Sequence, residues 1–244
     1  MKIVIGVATY NEALNIERLI TEIHQNIPNQ RILVLDDNSP DGTATIVDRL
    51  MSSDPHLRIL RRPGKLGLGS ATLTMMKYAV ENNFDAIIIM DADFSHDPKE
   101  LPIIAKLLEE NDFVTGSRYI EGGKCQYGLY RTIISKVANW GARNMAGIPL
   151  YECTTAYRGF RTELLRKLPM EKIRSSGYSF QVEVLYYIVR QTNKLKEFPI
   201  VFADRILGQS KINKKEMMMS AITLLRLLKK RILSEDNKIT KIIK

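Results

Sequence analysis

The chain of 244 residues suits one large domain, or one domain with a small appendage. Its composition, 45% hydrophobic and 26% charged, is typical of a globular protein with a sizeable core. The net charge of +9 favours anionic partners such as nucleic acid, phosphate-bearing small molecules or an acidic membrane face. Two isolated cysteines, Cys125 and Cys153, argue against a disulfide framework or a zinc ribbon and favour a reducing, cytosolic setting.

No segment has the pattern of a secretory signal or of a membrane-spanning helix. The N-terminal MKIVIGVATYNE is apolar but short, and Asn11 and Glu12 interrupt it, so it is not typical of a secretory signal. No run approaches the roughly 20 apolar residues that a spanning helix needs. We therefore expect a cytoplasmic protein that crosses no bilayer.

The first half of the chain alternates strand and helix patterns. Apolar runs rich in Ile and Val, typical of strands buried on both faces, cover 2–10, 31–37, 57–62, 86–93 and 112–119. Helix-period stretches lie between them, at 13–25, 42–51, 68–82 and 98–109. Strand starts every 26–29 residues indicate βαβ units. The sequence therefore predicts an α/β fold with a mostly parallel sheet, helices on both faces and right-handed crossovers.

After residue 120 this alternation is lost. The patterns predict a Gly-rich loop, a helix, a short strand, a second helix, a further strand, a final helix and a loose polar tail. In that order they cover 121–128, 129–146, 154–161, 179–191, 197–203, 214–233 and 234–244.

Polar residues gather where three of the predicted strands end. They are Tyr10, Asn11 and Glu12 after the first strand, Asp36, Asp37 and Asn38 after the second, and Asp91, Asp93 and Ser95 after the fourth. In open α/β sheets, ligands bind beyond the carboxyl ends of the strands. The sequence therefore predicts a ligand site at this edge.

The acids that follow the fourth strand suit a metal ion. If the chain stays extended, Asp91, Asp93 and Ser95 point to one side, and Ala92 and Phe94 to the other. Three oxygen ligands on one edge suit Mg²⁺ or Mn²⁺, and Mg²⁺ typically takes one or two protein carboxylates and completes its shell with phosphates and waters. The pattern predicts a divalent metal that also holds a diphosphate.

Other roles are open for the acids in both motifs. Asp91 and Asp93 could cap the next helix, although Asp97 before Pro98 is better placed for that. Asp41 is a candidate cap of the helix at 42–51, whereas Asp36 and Asp37, at a strand end, are candidate hydrogen-bond partners of a base or ribose. His96, next to the acidic motif, is more often a structural residue than a catalytic one.

Nine motifs in order carry a family resemblance. The first five resemble the nucleotide-diphospho-sugar half of a family 2 glycosyltransferase of GT-A fold: ATYNE (8–12), VLDDNSPDGT (34–43), GKLGLGSA (64–71), MDADFSHDP (90–98) and GSRY (116–119). The other four are similar to dolichyl- or polyprenyl-phosphate mannosyltransferases: YRTIISKVAN (130–139), TTAYRGFR (154–161), SGYSFQVEV (176–184) and FADRILGQSK (202–211).

The resemblance implies a reaction and a domain plan. It implies inverting transfer of mannose from GDP-mannose to a polyprenyl or dolichyl monophosphate, with Mg²⁺ or Mn²⁺ assisting departure of the nucleoside diphosphate. A GT-A domain would cover 1–212, with the nucleotide-sugar half at 1–119 and the acceptor half at 120–212. A C-terminal amphipathic helix and tail would cover 213–244.

The resemblance also assigns site residues. The donor would be contacted by Ala8, Tyr10, Glu12, Asp37, Asp91, Ala92, Asp93, Arg205 and Lys211. The metal ligands would be Asp91, Asp93 and Ser95, with water as an alternative to Ser95, because some relatives carry Gln there. The acceptor phosphate would be bound by Arg118, Arg131 and Ser135. Catalytic roles fall to Asp93, Arg118 and Arg131.

Cations dominate the expected acceptor site for a chemical reason. A lipid phosphate is already an anion at neutral pH, so its attack needs no general base, but two anions must be brought together. Arginine suits this task because it binds phosphate through two hydrogen bonds. Arg158 is a further cation at a matching position. Glu152 stands where the family usually has Asp, which leaves the contact made at that position open.

The C-terminal helix bears on location. Residues 217–228 are apolar but too short to cross a bilayer, and Lys229, Lys230 and Arg231 follow them. Such a helix could lie among lipid headgroups on the cytoplasmic face; the alternative is packing on the domain or on a membrane-embedded partner.

Rival functions fit less well. A dehydrogenase would need G-x-G-x-x-G where ATYNEA stands, and a response-regulator receiver would end near residue 120. A nucleic-acid binder would explain the charge, but the aromatic residues are few and do not follow a basic stripe. Two alternatives stay open: another donor such as UDP-glucose or another lipid-linked acceptor, and a non-catalytic sugar-nucleotide-binding protein.

Overall fold

A computed structural model describes residues 1–126, 128–202 and 214–242. The first half contains β1 (Ile3–Thr9), α1 (Ile16–Asn26), β2 (Arg31–Asp36), α2 (Thr43–Met51), β3 (Leu57–Arg61), α3 (Leu68–Glu81), β4 (Ala86–Asp91), α4 (Leu101–Leu107) and β5 (Phe113–Ser117). The second half contains β6 (Lys124–Cys125), α5 (Leu129–Asn144), β7 (Arg158–Arg161), α6 (Thr162–Lys167), α7 (Gly177–Ile188), β8 (Leu195–Pro199), β9 (Val201–Phe202) and α8 (Lys214–Ile242).

Seven of the described strands form one sheet in the order β3-β2-β1-β4-β7-β5-β8. All neighbours are parallel except β7, which runs antiparallel between β4 and β5. The predicted α/β fold with a mostly parallel sheet is confirmed. The direction of β7 was not readable from the sequence, and it means that β5 does not pair with β4 as a simple βαβ series would suggest.

Alternation along the strands builds a core on each side of the sheet. Val4, Leu33 and Ile87 belong to one buried cluster, which includes the apolar face of α3. The next residue in each strand, Ile5, Val34 or Ile88, belongs to the other cluster, which includes α1. Each fully buried aliphatic side chain contributes about 1.5–3 kcal/mol. The same strands are therefore fixed in register from both faces.

The strand register brings the predicted polar ends together. Ala8 lies opposite Asp91 across β1 and β4, and Thr9 lies opposite Asp36 across β1 and β2. Because these strands are parallel, their carboxyl ends meet at one edge of the sheet. The edge predicted to hold the ligand is thus a single surface.

The C-terminal helix α8 differs from its prediction in length and packs on the domain. It continues to Ile242, whereas a loose tail was expected at 234–244. Leu227 is fully buried, and Arg226 binds the buried Glu183 of α7 at 2.9 Å. A Cβ atom at Gly141 of α5 would lie 2.7 Å from Leu224, so glycine permits close approach of α5 and α8.

Among the described residues, no helix combines the length and the apolar content needed to cross a membrane. Both cysteines are free thiols, with Cys125 partly buried and Cys153 buried. Burial raises the pKa of Cys153 to about 12, so this thiol stays protonated and belongs to the core.

Candidate active site

The segment that follows β4 forms the centre of the acidic edge. Asp91 ends β4 with its side chain 25% exposed, whereas Asp93 is 5% exposed and Ala92 is buried. The backbone does not stay extended as the sequence interpretation assumed, because Phe94 has φ of 59°. A bulky residue in this left-handed region costs about 1–3 kcal/mol and commonly marks a functional turn.

The turn at Phe94 directs Ser95 back onto Asp93. Ser95 donates to Asp93 Oδ1 from its backbone nitrogen at 3.1 Å and from its hydroxyl at 2.6 Å. Ser95 is 2% exposed. Its predicted role as a third metal ligand stays a prediction, and its visible contact is with the carboxylate of Asp93.

His96 supports the same turn. Its Nδ1 accepts the backbone N–H of Asp91 at 2.9 Å, and its Nε2 lies 3.3 Å from the hydroxyl of Thr155. An N–H group can only donate, so Nδ1 carries no proton, and the 3.9 Å separation from Asp91 Oδ2 is not an ion pair. The buried ring also stacks on Tyr157, as expected of a structural histidine.

The donor atoms at this edge fit a hard divalent cation with an incomplete protein shell. Asp91 and Asp93 provide two carboxylates, and no group of three or more Asp, Glu, His or Cys side chains suited to a metal occurs among the described residues. Magnesium commonly uses one or two carboxylates and takes its other ligands from phosphates and water. A metal here would therefore depend on a phosphate ligand.

Asp37, which is predicted to contact the nucleotide-sugar donor, is held by the loop that follows β3. Arg62 Nε donates to Asp37 Oδ1 at 2.5 Å, and the backbone nitrogen of Leu66 donates to Oδ2 at 3.2 Å. Arg62 also binds Ser70 Oγ at 2.7 Å. The pair is about nine-tenths buried. The sequence interpretation missed Arg62, although it lies two residues before the GKLGLGSA motif.

Tyr10 and Glu12 lie in the turn after β1. The Nζ of Lys65 lies 4.2 Å from the centre of the Tyr10 ring, a cation–π contact. Glu12 accepts from Asn15 Nδ2 at 2.8 Å, and its backbone nitrogen donates to Thr43 Oγ1 at 3.0 Å. Tyr10 and Asp37 are thus both contacted by the segment 62–66.

Two other acids in this region brace the backbone. Asp36 is 1% exposed and accepts from Thr9 Oγ1 and from both donors of Ser39. Asp41 accepts the backbone N–H groups of Ala13 and Thr43. Burial by itself would raise the pKa of Asp41, but these hydrogen bonds outweigh it and lower the pKa. Both acids therefore stabilise the turns.

The predicted acceptor residues come together beside β5. Arg118 directly follows β5, and its Nη2 lies 3.5 Å from Ser135 Oγ on α5. Arg131 lies one helical turn before Ser135, so the two share a face of α5. Tyr119 OH donates to Ser135 Oγ at 2.7 Å. The structure thus groups the three residues, while their contact with a phosphate stays a prediction.

Arg118 is tied to a carboxylate that the sequence left open. Its Nε and Nη2 donate to the two oxygens of Glu152 at 2.6 and 2.8 Å, and Nη2 also donates to Thr154 Oγ1 at 2.8 Å. Glu152 is fully buried. Burial tends to raise the pKa of Glu152, but the charge and hydrogen bonds of Arg118 and Thr154 outweigh it and lower the pKa.

Arg158 does not join this group. It is 1% exposed and donates to the carbonyl oxygens of Gln181 and Cys153 at 3.0 and 2.9 Å. Burial lowers its pKa to about 10, so the guanidinium stays charged at neutral pH. Phe180, in the SGYSFQVEV motif, is buried in the hydrophobic core. Arg205 and Lys211, predicted to contact the donor, lie outside the described residues.

Comparison with known proteins agrees with this fold. The sequence model of the protein family described as glycosyl transferase family 2 matches residues 4–169 of the chain. The chain belongs to this family and is a glycosyltransferase, as the motifs predicted.

Two curated relatives cover most of the chain. The undecaprenyl-phosphate mannosyltransferase of Micrococcus luteus is 35% identical over 214 residues, which are 87% of this chain and 88% of the relative. The polyprenol monophosphomannose synthase of Mycolicibacterium smegmatis is 34% identical over 210 residues, which are 85% and 79%.

Solved structures confirm the fold. Glucosyl-3-phosphoglycerate synthase from Mycobacterium tuberculosis, in complex with Mn²⁺, uridine diphosphate and glucosyl-3-phosphoglycerate, superposes with a TM-score of 0.67 at 19% identity. That match covers 93% of this chain and 80% of the synthase. Its complex with Mn²⁺, UDP-glucose and phosphoglyceric acid gives a TM-score of 0.68 at 18% identity, covering 93% and 79%.

Proposed function

We propose that this glycosyltransferase transfers mannose, with inversion, from GDP-mannose to a polyprenyl monophosphate. The observation that carries the proposal is the placement of a phosphate-suited cluster, Arg118 and Ser135, beside the acidic edge. The two are joined through adjacent residues, because Thr154 contacts Arg118 while Thr155 contacts His96 in the acidic segment. The curated relatives, whose names specify mannose and polyprenyl phosphate, support the same reaction.

The donor diphosphate is proposed to bind at the acidic edge with Mg²⁺ or Mn²⁺. Asp91 and Asp93 would hold the metal, with Ser95 or a water molecule as a further ligand, and the bound ion would offset the charge that develops on the departing diphosphate. The Mn²⁺ in the synthase complexes of the same fold supports a divalent ion.

The remaining donor contacts are proposed on three segments. Ala8, Tyr10 and Glu12 follow or end β1, Asp37 follows β2, and Ala92 separates the two metal-binding acids. Tyr10 has an aromatic face, and Asp37 a fixed carboxylate, that suit a base and its ribose. Arg205 and Lys211, from the family resemblance, would cover the diphosphate.

The acceptor phosphate is proposed to meet Arg118, Arg131 and Ser135. The attacking oxygen already carries charge, so these residues orient it and reduce its repulsion from the donor rather than remove a proton. Arginine and hydroxyl donors on one face provide that environment.

The lipid part of the acceptor calls for a membrane contact, and two neighbouring helices expose apolar residues. On α5 these are Leu129, Tyr130, Ile133, Val137 and Trp140, and on α8 they are Met217, Met218, Ile222, Leu225, Ile232 and Leu233. The stripe on α5 includes the positions around Arg131 and Ser135. We propose that these stripes lie on the cytoplasmic face of a membrane, where the polyprenyl chain is dissolved.

A substrate panel tests the proposal. One polyprenyl phosphate would be offered with GDP-mannose, UDP-glucose and other nucleotide sugars, with Mn²⁺, with Mg²⁺ or with excess chelator. We expect metal-dependent release of GDP and formation of a mannosylated lipid. Preferred turnover of UDP-glucose would identify it, rather than GDP-mannose, as the sugar donor. Binding of nucleotide sugars without turnover of any of them would indicate a non-catalytic protein.

A further inference from the structure

The acceptor cluster rests on two residues to which no role has been given, Glu152 and Tyr119. We propose that both are positioning residues: Glu152 fixes the plane of the Arg118 guanidinium, and Tyr119 fixes the direction of the Ser135 hydroxyl. Together they prepare the two groups for a phosphate. The inference depends on the proposed acceptor and names the residues that organise its site.

Glu152 is saturated by donors from its surroundings. Its Oε2 accepts from Arg118 Nε at 2.6 Å, while Oε1 accepts from Arg118 Nη2, the backbone and hydroxyl of Thr154, and the backbone nitrogen of Thr155, at 2.8–3.1 Å. Its own segment is anchored, because the backbone nitrogen of Glu152 donates to Glu197 Oε1 on β8 at 2.8 Å. The carboxylate is therefore a fixed support for the guanidinium.

The rings beside Arg118 restrict it further. The guanidinium carbon lies 5.3 Å from the centre of the Tyr119 ring and 5.1 Å from that of Phe202. An added Cβ at Gly123 would lie 2.8 Å from the carbonyl carbon of Arg118, so only glycine lets this loop lie against its backbone. Arg118 is thus held at both its backbone and its side chain.

The hydroxyl hydrogens in the cluster have defined directions. Thr154 donates its hydrogen to Glu152 Oε1 at 2.8 Å and accepts from Arg118. Tyr119 donates to Ser135 Oγ at 2.7 Å, so the hydrogen of Ser135 must point elsewhere. Within the part of the chain that the structure describes, the protein oxygen in reach of this hydrogen is Thr154 Oγ1 at 3.5 Å, which is long for O–H···O. A phosphate oxygen would complete this hydrogen bond.

The surroundings of Glu152 favour a positioning role over a role in proton transfer. Burial and five accepted hydrogen bonds leave Glu152 unsuited to act as a general base, because protonation would break contacts with Arg118 and Thr154. The negative charge of Glu152 also balances that of Arg118. Arg118 therefore contributes mainly the direction of its hydrogen bonds to the acceptor anion.

Glu152→Gln and Tyr119→Phe test the inference, with Tyr151→Phe as the control. Tyr151 is half exposed and directly precedes Glu152. We would measure kcat and KM for polyprenyl phosphate, the affinity for GDP-mannose, direct binding of a short prenyl phosphate, and the pH profile of kcat. We expect KM for the lipid to rise roughly tenfold in Glu152→Gln and about fivefold in Tyr119→Phe. Donor affinity and the shape of the pH profile should not change.

The outcomes separate the two proposals. Wild-type turnover with an unaltered lipid KM in both variants, or an equal loss of donor affinity, would overturn the positioning roles alone. Loss of kcat in Glu152→Gln with a flattened pH profile would identify a base and also overturn them. Tyr119→Phe removes only the hydroxyl of a partly buried side chain, so this variant tests the inference if Glu152→Gln does not fold. A wild-type protein that neither binds nor mannosylates prenyl phosphates would overturn the proposed function and this inference with it.

Discussion

Arg62 and Asp37 form a buried ion pair at 2.5 Å that joins the loops following β3 and β2. The carboxylate of Asp37 therefore reaches the donor edge already oriented, because Leu66 also donates to it from the backbone. Lys65, in the same loop, lies over the ring of Tyr10. One loop thus organises two residues proposed to contact the nucleotide.

Substitution of Arg62 should damage nucleotide binding. Arg62→Gln leaves Asp37 without its charged partner, so we expect nucleotide affinity to fall roughly tenfold and the free energy of unfolding to fall by about 2 kcal/mol. Arg61→Gln is the matched control, because Arg61 is half exposed and pairs with Asp48 on the surface. Calorimetric titration with GDP that gave the same affinity for both variants would contradict the role of Arg62.

Loss of Asp93 should abolish transfer while the fold is retained. Asp93→Ala removes a carboxylate proposed to hold the metal, and a single electrostatic contact of this kind is worth about 10²–10³ in kcat. Asp97→Asn is the control in the same segment, because Asp97 only accepts the backbone N–H of Lys99 at the start of a 3-10 turn. Manganese titration should show weaker activation only in the Asp93 variant, and normal turnover there would refute the metal role.

Arg131 should matter for the acceptor and not for the donor. In Arg131→Ala we expect KM for polyprenyl phosphate to rise about tenfold or more, because a charge-assisted contact is lost. Arg143→Ala provides a control on α5, where Arg143 stacks on Tyr151. Steady-state kinetics with each substrate varied would check this. Equal increases in both KM values would place Arg131 elsewhere.

The membrane contact is best tested at exposed positions. Removing residues 214–244 would uncover Leu227 and break the contact between Arg226 and Glu183, so a truncated chain would test folding as well as membrane binding. Trp140→Ser combined with Leu225→Ser changes only side chains that are 63% and 60% exposed.

We expect the double variant to bind anionic vesicles at least tenfold more weakly, because each lost apolar contact is worth about 1–3 kcal/mol. Its urea midpoint should change little. Ile103→Ser, at an exposed position on α4, is the control. Co-sedimentation at low salt that showed equal vesicle binding by all three proteins would rule out this face.

The ion pair of Arg118 and Glu152 should give a pH-dependent stability. Because the folded protein lowers the pKa of Glu152 from its usual 4.5, ionised Glu152 stabilises the fold fully above that value. The contribution is lost as pH falls through the folded pKa. We expect Glu152→Gln to be about 3 kcal/mol less stable at pH 7, with the difference shrinking in acid. Urea unfolding at several pH values would check this, and a constant difference would contradict it.

The sequence by itself determined the strands and the acidic edge. Continuous runs such as IIIM at 87–90 become buried strands because nothing else hides so many apolar side chains on both faces. Polar residues directly after such runs must then appear at the carboxyl end of the sheet. Asp91 and Asp93 could therefore be placed from local patterns, and the motifs identified the family from residue order alone.

Tertiary structure decided the rest, because it depends on contacts between residues far apart in the chain. Nothing in TTAYRGFR indicated that β7 would run antiparallel between β4 and β5. The resemblance placed Arg118 and Arg158 at matching cationic positions, but their partners came from packing, which gave Arg118 the carboxylate of Glu152 and enclosed Arg158 among carbonyl oxygens. Charge can be read from a sequence, whereas the partner of each charge is fixed only when the chain folds.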